Sequence, residues 1–331
     1  MNRGILVTGG AGYIGSHVVL QLGEAGERVV VLDDLSTGFA DAVLYGDLIV
    51  GDTGDRDKVL GVLRDHDVDT VMHFAARTIV PESVADPLSY YGNNTCNTRN
   101  LLECCAEAGI RHFIFSSTAA VYGVPDGERA HEGSPTVPIN PYGSSKLMSE
   151  WMLRDLAAVT PLEHVVLRYF NVAGSDPEGR IGQSTRQATL LTKVACEAAV
   201  GLRESVSVFG TDYPTPDGTG IRDYIHVHDL AAAHLKALDY LRSGGSSITL
   251  NCGYGRGFSV RQVLDAVARA NDAPLPIREE QRRPGDPPAL VAEASRIREV
   301  FDWEPEYADL DAIARTSLAW EQKLLQRRSV A

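Results

Sequence analysis

Four glycines within seven residues decide how this chain begins to fold. Gly9, Gly10, Gly12 and Gly15 stand in the run Thr8-Gly9-Gly10-Ala11-Gly12-Tyr13-Ile14-Gly15, directly after the apolar segment GILVT and at the opening of a helical pattern. A strand that turns this tightly into a helix brings backbone amides to the helix N-terminus, where unpaired N–H groups and the helix dipole favour an anion. The same run by itself is also compatible with a plain tight turn, so its surroundings decide between the two.

Those surroundings repeat one pattern. Short apolar runs rich in β-branched residues alternate with longer helical stretches, the mark of βαβ units and a parallel sheet. Strands are predicted at 4–8, 28–32, 48–50, 70–74, 112–116 and 164–169, all short and nearly all apolar, as strands covered on both faces are. Helices are predicted at 12–26, 55–65, 87–109 and 141–158, the last with Pro141 in its first turn. Right-handed crossovers then give an α/β fold, a Rossmann-type doubly wound parallel sheet. After about residue 172 the pattern weakens. Segments 174–182 and 210–220 read as loops, 278–288 is charged and proline-rich, and helices at 228–241, 259–270, 294–301 and 310–325 interrupt what looks like a ligand lid.

The formal charge of −13 over 331 residues, 44% of them hydrophobic, describes a soluble globular protein. It is long enough for one large or two ordinary domains whose cores need no disulfides or structural metals. So acidic a surface repels phosphate backbones and anionic lipid, and neither nucleic acid nor membrane is expected as a partner. Cys96, Cys104, Cys105, Cys196 and Cys252 are odd in number, include an adjacent pair and show no CxxC spacing; they read as reduced thiols of a cytoplasmic protein. Residues 4–23 lack charge, but their glycines with Ser16, His17 and Gln21 break the continuous apolar stretch that an export signal or membrane span requires.

Two further constellations give the glycine turn a chemistry. The second predicted strand ends at Leu32-Asp33-Asp34, eighteen residues past Gly15, where a dinucleotide fold places an acid beside the adenosine ribose. Asp33 can accept from ribose hydroxyls and would repel a 2′-phosphate, which favours NAD over NADP. Downstream, Tyr142-Gly143-Ser144-Ser145-Lys146 puts a phenol and an ammonium at i and i+4 on one helix face. For Tyr142 to act as a base near neutral pH its pKa must fall from about 10 toward 7, about 4 kcal/mol. Lys146 and an oxidised nicotinamide are neighbours of the right sign. A hydroxyl partner is expected at the end of strand five, where Ser116-Ser117-Thr118 stands; capping or a turn would use the same residues.

With these motifs in this order, the sequence resembles the extended short-chain dehydrogenase/reductases, and among them the UDP-sugar 4-epimerase family. The likeness runs from about residue 3 to residue 320. It is carried by 2–15, His73-Phe74-Ala75-Ala76, Asn93-Asn94, 113–123, 140–146, 167–171 and above all the 22-residue block FGTDYPTPDGTGIRDYIHVHDL at 209–230, hard to meet by chance. The resemblance implies that residues 1–172 form an NAD-binding domain, with 221–242 packing back on it. Residues 173–331 would form a smaller mixed α/β domain that mainly binds the UDP-sugar. It further implies a homodimer paired through the helices at 87–109 and 141–158.

On the same ground an NAD site is expected from Gly9, Gly12, Tyr13 and Ile14 at the turn, and from Asp33, Asp34, Thr37 and Gly38 after strand two. Asp52 and Thr53 would follow strand three, and Phe74, Ala75, Ala76 and Thr78 strand four, joined by Asn93, Ser116, Tyr169 and Phe170. Tyr142 and Lys146 match the family's catalytic pair, which also touches NAD, and Thr118 its third hydroxyl. Thr118, Asn171, Phe209, Arg222, Tyr224, Arg283, Asp286 and Leu290 match UDP-sugar contacts, Arg222 and Arg283 holding the diphosphate. The implied reaction is reversible 4-epimerisation of UDP-glucose and UDP-galactose. Tyr142 takes the 4-OH proton as the C4 hydride passes to tightly bound NAD; the 4-keto sugar turns, and hydride returns to its other face.

Three places depart from the family pattern. Thr78, with Arg77 beside it, stands where a Lys contacts the cofactor. Ala188-Thr189-Leu190-Leu191 lacks an Asn or His before the hydrophobic pair. Leu290 stands where a Tyr in some members restricts the sugar pocket, which implies partial room for a 2-acetamido group. Dehydratases and decarboxylases of the superfamily carry acids after the Ser/Thr motif, where this chain has Ala119-Ala120. UDP-N-acetylhexosamines and UDP-pentoses stay open as substrates at this point. So does a non-catalytic NAD sensor, against which Tyr142 and Lys146 argue. His226-Val227-His228-Asp229 lacks a clustered third ligand and reads as structural. The charges at 323–328 read as a solvated helix end.

Overall fold

The computed structural model describes residues 3–125, 127, 129–185, 188–283 and 286–330, the last three by backbone only. Asn2, at the head of the glycine segment, and Pro284-Gly285 of the charged loop lie outside the described residues. The first half of the chain runs β1 (Gly4–Thr8), α1 (Tyr13–Glu24), β2 (Val29–Asp33), β3 (Asp47–Val50), α2 (Arg56–Asp65), β4 (Val68–His73), α3 (Val80–Ala85), α4 (Pro87–Tyr90), a π-helical stretch (Tyr91–Cys96), α5 (Asn97–Ala108), β5 (His112–Thr118), β6 (Arg129–Ala130), α6 (Pro141–Ala157) and β7 (Glu163–Tyr169). There follow β8 (Asn171–Ala173), α7 (Leu191–Ala199), β9 (Val206–Phe209), β10 (Ile221–His226), α8 (Val227–Arg242), β11 (Ile248–Cys252), β12 (Gly257–Ser259), α9 (Val260–Asn271), β13 (Ile277–Glu280), β14 (Ala289–Ala292), α10 (Ser295–Phe301) and α11 (Leu310–Val330).

Seven parallel strands form the main sheet in the order β11-β7-β5-β4-β1-β2-β3. Strand alternation sends Ile5, Val7, Met72, Ile114 and Val165 to one face, with α1 and α8, and Leu6, Val30, Val71, Phe113 and Phe115 to the other, with α2, α5 and α6. Burial on both faces explains the continuous apolar runs. Strand order reverses between β1 and β4, and the crevice outside the carboxyl ends there is where an open α/β sheet holds its ligand. Seven strands and not six arise because β11, from the second half of the chain, pairs with β7.

The second half is more ordered than its composition suggests. A five-stranded sheet orders β12-β10-β14-β6, with β8 also beside β10, and β9 pairs with β13. Residues 278–280, read from sequence as part of a charged loop, therefore belong to the strand β13, and 191–199 form an unforeseen helix. The expected helix at 87–109 is interrupted by the π-helical stretch, and 80–85 adds a short helix before it. No helix among the described residues is long and apolar enough to cross a membrane.

Candidate active site

The glycine turn closes on itself. Gly9 sits at φ +70°, and a Cβ there would lie 2.5 Å from the Ala75 amide nitrogen; one on Gly15 would lie 2.3 Å from the Gly9 carbonyl. Helix α1 begins at Gly12 with no side-chain cap and no acid in its first turn. Gly38 packs on the turn from the other side, its Cβ position 2.8 Å from Ala11 backbone, while Phe39 N donates to Ala11 O at 3.0 Å. A backbone cradle without side chains, an uncapped helix N-terminus and a carboxylate after β2 suit the pyrophosphate and ribose of NAD.

Asp33 does more than sequence suggests. Its Oδ2 accepts from Ala11 N at 2.9 Å and its Oδ1 from Leu35 N at 2.8 Å, so it fixes the turn and holds Leu35 at φ +58°. Burial raises the Asp33 carboxyl above its usual range, and the two amide bonds oppose this. Asp34 accepts from Ser36 N at 2.9 Å, and Thr37 and Gly38 follow in the same loop. Below β3, Asp52 accepts from Gly54 N and Asn97 Nδ2 at 2.7 and 2.8 Å, and the Thr53 carbonyl accepts from Asn100 at 2.7 Å. Tyr13 and Ile14 enter α1 here, and the Tyr13 phenol donates to Gly174 O at 2.6 Å.

On the far side of the switch point, Phe74 N donates to Thr8 O at 2.9 Å, which carries Phe74, Ala75 and Ala76 past the turn. Arg77 N bonds Asn93 Oδ1 and Asn94 Oδ1 at 3.1 and 2.8 Å, and its guanidinium bonds Ser89. Thr78 is exposed. The π-helical stretch widens the turn that presents Asn93 and Asn94, and Asn94 Nδ2 reaches Ser145 Oγ at 3.0 Å on α6.

Helix α6 starts at Asn140, whose side chain caps Gly143 N at 2.8 Å with Pro141 in the first turn, so Tyr142 leads the helix at the end of β5. Thr118 Oγ1 accepts from Ala120 N at 3.1 Å, the capping role, and its side chain also faces the Tyr142 phenol. Lys146 Nζ donates to Ser116 O at 2.9 Å and lies 4.9 Å over the Phe115 ring. The ammonium is thus moored to the strand end, where the helical spacing alone had put it against the phenol. Burial raises the Tyr142 pKa, opposed by Thr118, and lowers Lys146 to about 7, opposed by Glu150. These directions are the reverse of the expected activation, because burial strips water from both groups and disfavours their charged forms. The Ser116 hydroxyl is taken by the Tyr169 phenol, and Phe170 follows Tyr169 off the sheet.

The five-stranded sheet assembles the remaining residues by register. Arg222 pairs with Leu290 and Tyr224 with Asn171 across β10. Arg222 Nη1 donates to Ile221 O at 2.7 Å and its Nη2 pairs with Asp286, while Arg283 lies 3.8 Å over the Phe209 ring. Burial raises Tyr224 to about 12. Leu290 packs against the cluster of Ala119, Val121, Tyr122, Ala130 and Leu147. Leu190, within the departure at 188–191, precedes α7 without a side-chain cap. His226 caps α8 through His228 N at 3.1 Å and stacks on Tyr307.

Sequence reading missed a buried network behind the site. Glu150, Arg168, Ser117, Tyr122 and Asn251 bond in a chain that links α6, β5, β7 and β11. One signal was there to find: Glu150 continues the helix face of Tyr142 and Lys146 by one more turn.

The parallel sheet, the glycine turn at its switch point and a Tyr–Lys pair after β5 define an NAD-dependent enzyme of the short-chain dehydrogenase/reductase class. A family model described as the NAD dependent epimerase/dehydratase family matches residues 5–253, and the chain belongs to that family. The chain is similar to UDP-glucose 4-epimerase of Azospirillum brasilense, 56% identical over 323 residues, which cover 97% of this chain and 93% of that protein. Among solved structures it resembles UDP-glucose 4-epimerase from Brucella ovis in complex with NAD, with TM-score 0.94, 43% identity and coverage of 96% and 98% of the two chains. It likewise resembles the Bifidobacterium longum enzyme in complex with NAD+ and UDP, with TM-score 0.92, 37% identity and coverage of 97% and 98%.

Proposed function

We propose that this chain interconverts UDP-glucose and UDP-galactose by epimerisation at C4, with NAD held throughout. The carrying observation is the meeting of Tyr142, Lys146 and Thr118 at the end of β5, followed by Ala119 and Ala120 where an eliminating enzyme would need an acid. The relatives named above, one of them bound to NAD+ and UDP, support the same substrate class.

The chemistry that NAD supplies when bound is reversible hydride exchange with the sugar C4. Tyr142 Oη takes and returns the proton of the 4-hydroxyl, with the Thr118 hydroxyl facing the same phenol. Lys146, fixed by the Ser116 carbonyl, contributes positive charge one helical turn away. Arg222, released from Asp286, and Arg283, stacked on Phe209, hold the diphosphate while the 4-keto sugar turns. Asp33 and the amides around Gly9–Gly15 hold NAD.

The purified protein, given UDP-galactose and no added NAD, is expected to form UDP-glucose. Tyr142→Phe is expected to lose about 10²–10⁴-fold in kcat. Full activity in that variant would remove Tyr142 from the reaction. Val84, Leu88, Met148 and Trp151 leave an apolar face exposed on α3, α4 and α6, which supports a homodimer paired there. Five free thiols, four of them buried, support the reducing cytoplasm as its compartment.

A further inference from the structure

Three residues of α6 meet three consecutive residues of β5. Tyr142, Lys146 and Glu150 follow one another at i, i+4 and i+8 on a single helix face. Thr118 faces the Tyr142 phenol, the Ser116 carbonyl accepts from Lys146 at 2.9 Å, and the Ser117 hydroxyl donates to Glu150. The proposed reaction uses the first two pairs and leaves the third unexplained.

Glu150 is a buried carboxylate with an expensive set of partners. Arg168 of β7 donates to one oxygen through Nε at 3.0 Å and to the other through Nη2, a bidentate pair buried on both sides. Arg168 Nη1 reaches Tyr122 OH at 3.1 Å, and Tyr122 donates to Asn251 Oδ1 at 2.6 Å. A buried ion pair adds little net stability over apolar residues of equal volume, so a carboxylate clamped at this depth invites another role. Lys146, 3% exposed, supplies one: its ammonium has lost nearly all contact with water, its direct partner is a neutral carbonyl, and the negative charge acting on it is that of Glu150.

We propose that Glu150 is a positioning residue of the reaction, the counter-charge that keeps Lys146 cationic one turn from Tyr142. This rests on the reading of Tyr142 as the base. Other titratable groups are accounted for. His73 of β4 is held neutral between Thr8 and Thr98, Tyr169 of β7 bonds Ser116, and Tyr122 shares Arg168. Tyr90 and Glu82, from the short helices packed on α6, bond each other.

The test is a 13C NMR titration of lysine Cε signals in the NAD-loaded protein, tractable with five lysines in the chain and Lys146→Arg to identify the signal. Glu150→Gln is expected to move the Lys146 titration down by at least one pH unit. The alkaline limb of kcat should move with it, so that turnover one unit above the wild-type limb falls about tenfold. Glu150→Asp, with the charge intact, is expected to titrate near wild type. Glu150→Gln leaves Arg168 unpaired in the interior, a destabilising change, so Glu150→Gln/Arg168→Gln is the second variant, and its Lys146 must also titrate below wild type. A wild-type titration of Lys146 in either folded glutamine variant, or an aspartate variant that behaves like glutamine, overturns the proposal. The NMR signal needs no sugar, so this failure is distinct from failure of the epimerase reading.

Discussion

Gly9 shows how one residue can be legible from sequence. Its φ of +70° and the 2.5 Å approach of the Ala75 amide exclude any side chain, and a requirement of the backbone appears directly as residue identity. Gly9→Ala is expected to cost at least about 1–3 kcal/mol and to part β1 from β4. Melting temperature should fall, and the purified protein should carry less NAD by absorbance after denaturation; unchanged cofactor content would show that the turn tolerates the methyl. Asp33, Tyr142 and Lys146 are legible for a related reason, since each lies at a fixed spacing from its motif. Pairings across long separations are not. Arg168 and Glu150 are eighteen residues apart on different elements, and Arg222 meets Asp286 only through the fold of β10 and β14. Tyr13 fits the glycine motif perfectly well, yet its phenol answers to Gly174, a partner no local pattern announces.

Elements divide the same way. Five of the six first-half strands stood out because both faces are buried and the apolar run is unbroken, while β3, at the sheet edge, is only partly covered. The second sheet is built from strands as short as Arg129–Ala130 and Asn171–Ala173, too brief for periodicity, and Ile277–Glu280 is exposed throughout. Their identity as strands comes from distant partners. Helix α7, by contrast, is amphipathic and could have been found. Helix α6 carries a second function besides the catalytic face: Trp151 and Met148 point outward, 46% and 37% exposed, near Leu88 of α4 at 79%. If two copies join here, Trp151→Glu places a charge in the seam. It is expected to convert a dimer to a monomer by light scattering at micromolar concentration, with secondary structure by circular dichroism retained. A wild-type monomer, or a dimer untouched by the variant, would place the interface elsewhere.

At the scale of the whole molecule, five of nine histidines are buried and held neutral. Burial lowers His17, His164 and His234 to about 4 and His73 and His226 to about 3, against about 6.5 in the unfolded chain. Between those values the unfolded chain binds more protons, so what these five rings contribute to stability is complete above pH 6.5 and is lost as pH drops toward 4. Each such histidine contributes about 1.4 kcal/mol per pH unit in that window. Melting temperature is therefore expected to drop steeply between pH 6.5 and 5; a flat profile across that range would mean that these rings take up protons without unfolding.

Strand β11 closes the account of the large sheet with a topological consequence. The chain leaves that sheet after β7, builds part of the smaller one, comes back to lay α8 and β11 against it, and leaves again. Two bodies joined by one linker can swing about it; two bodies laced together by repeated crossings cannot. Room for a turning hexose must then come from side chains and loops, and neither half could be inherited, exchanged or truncated without tearing a strand from the other.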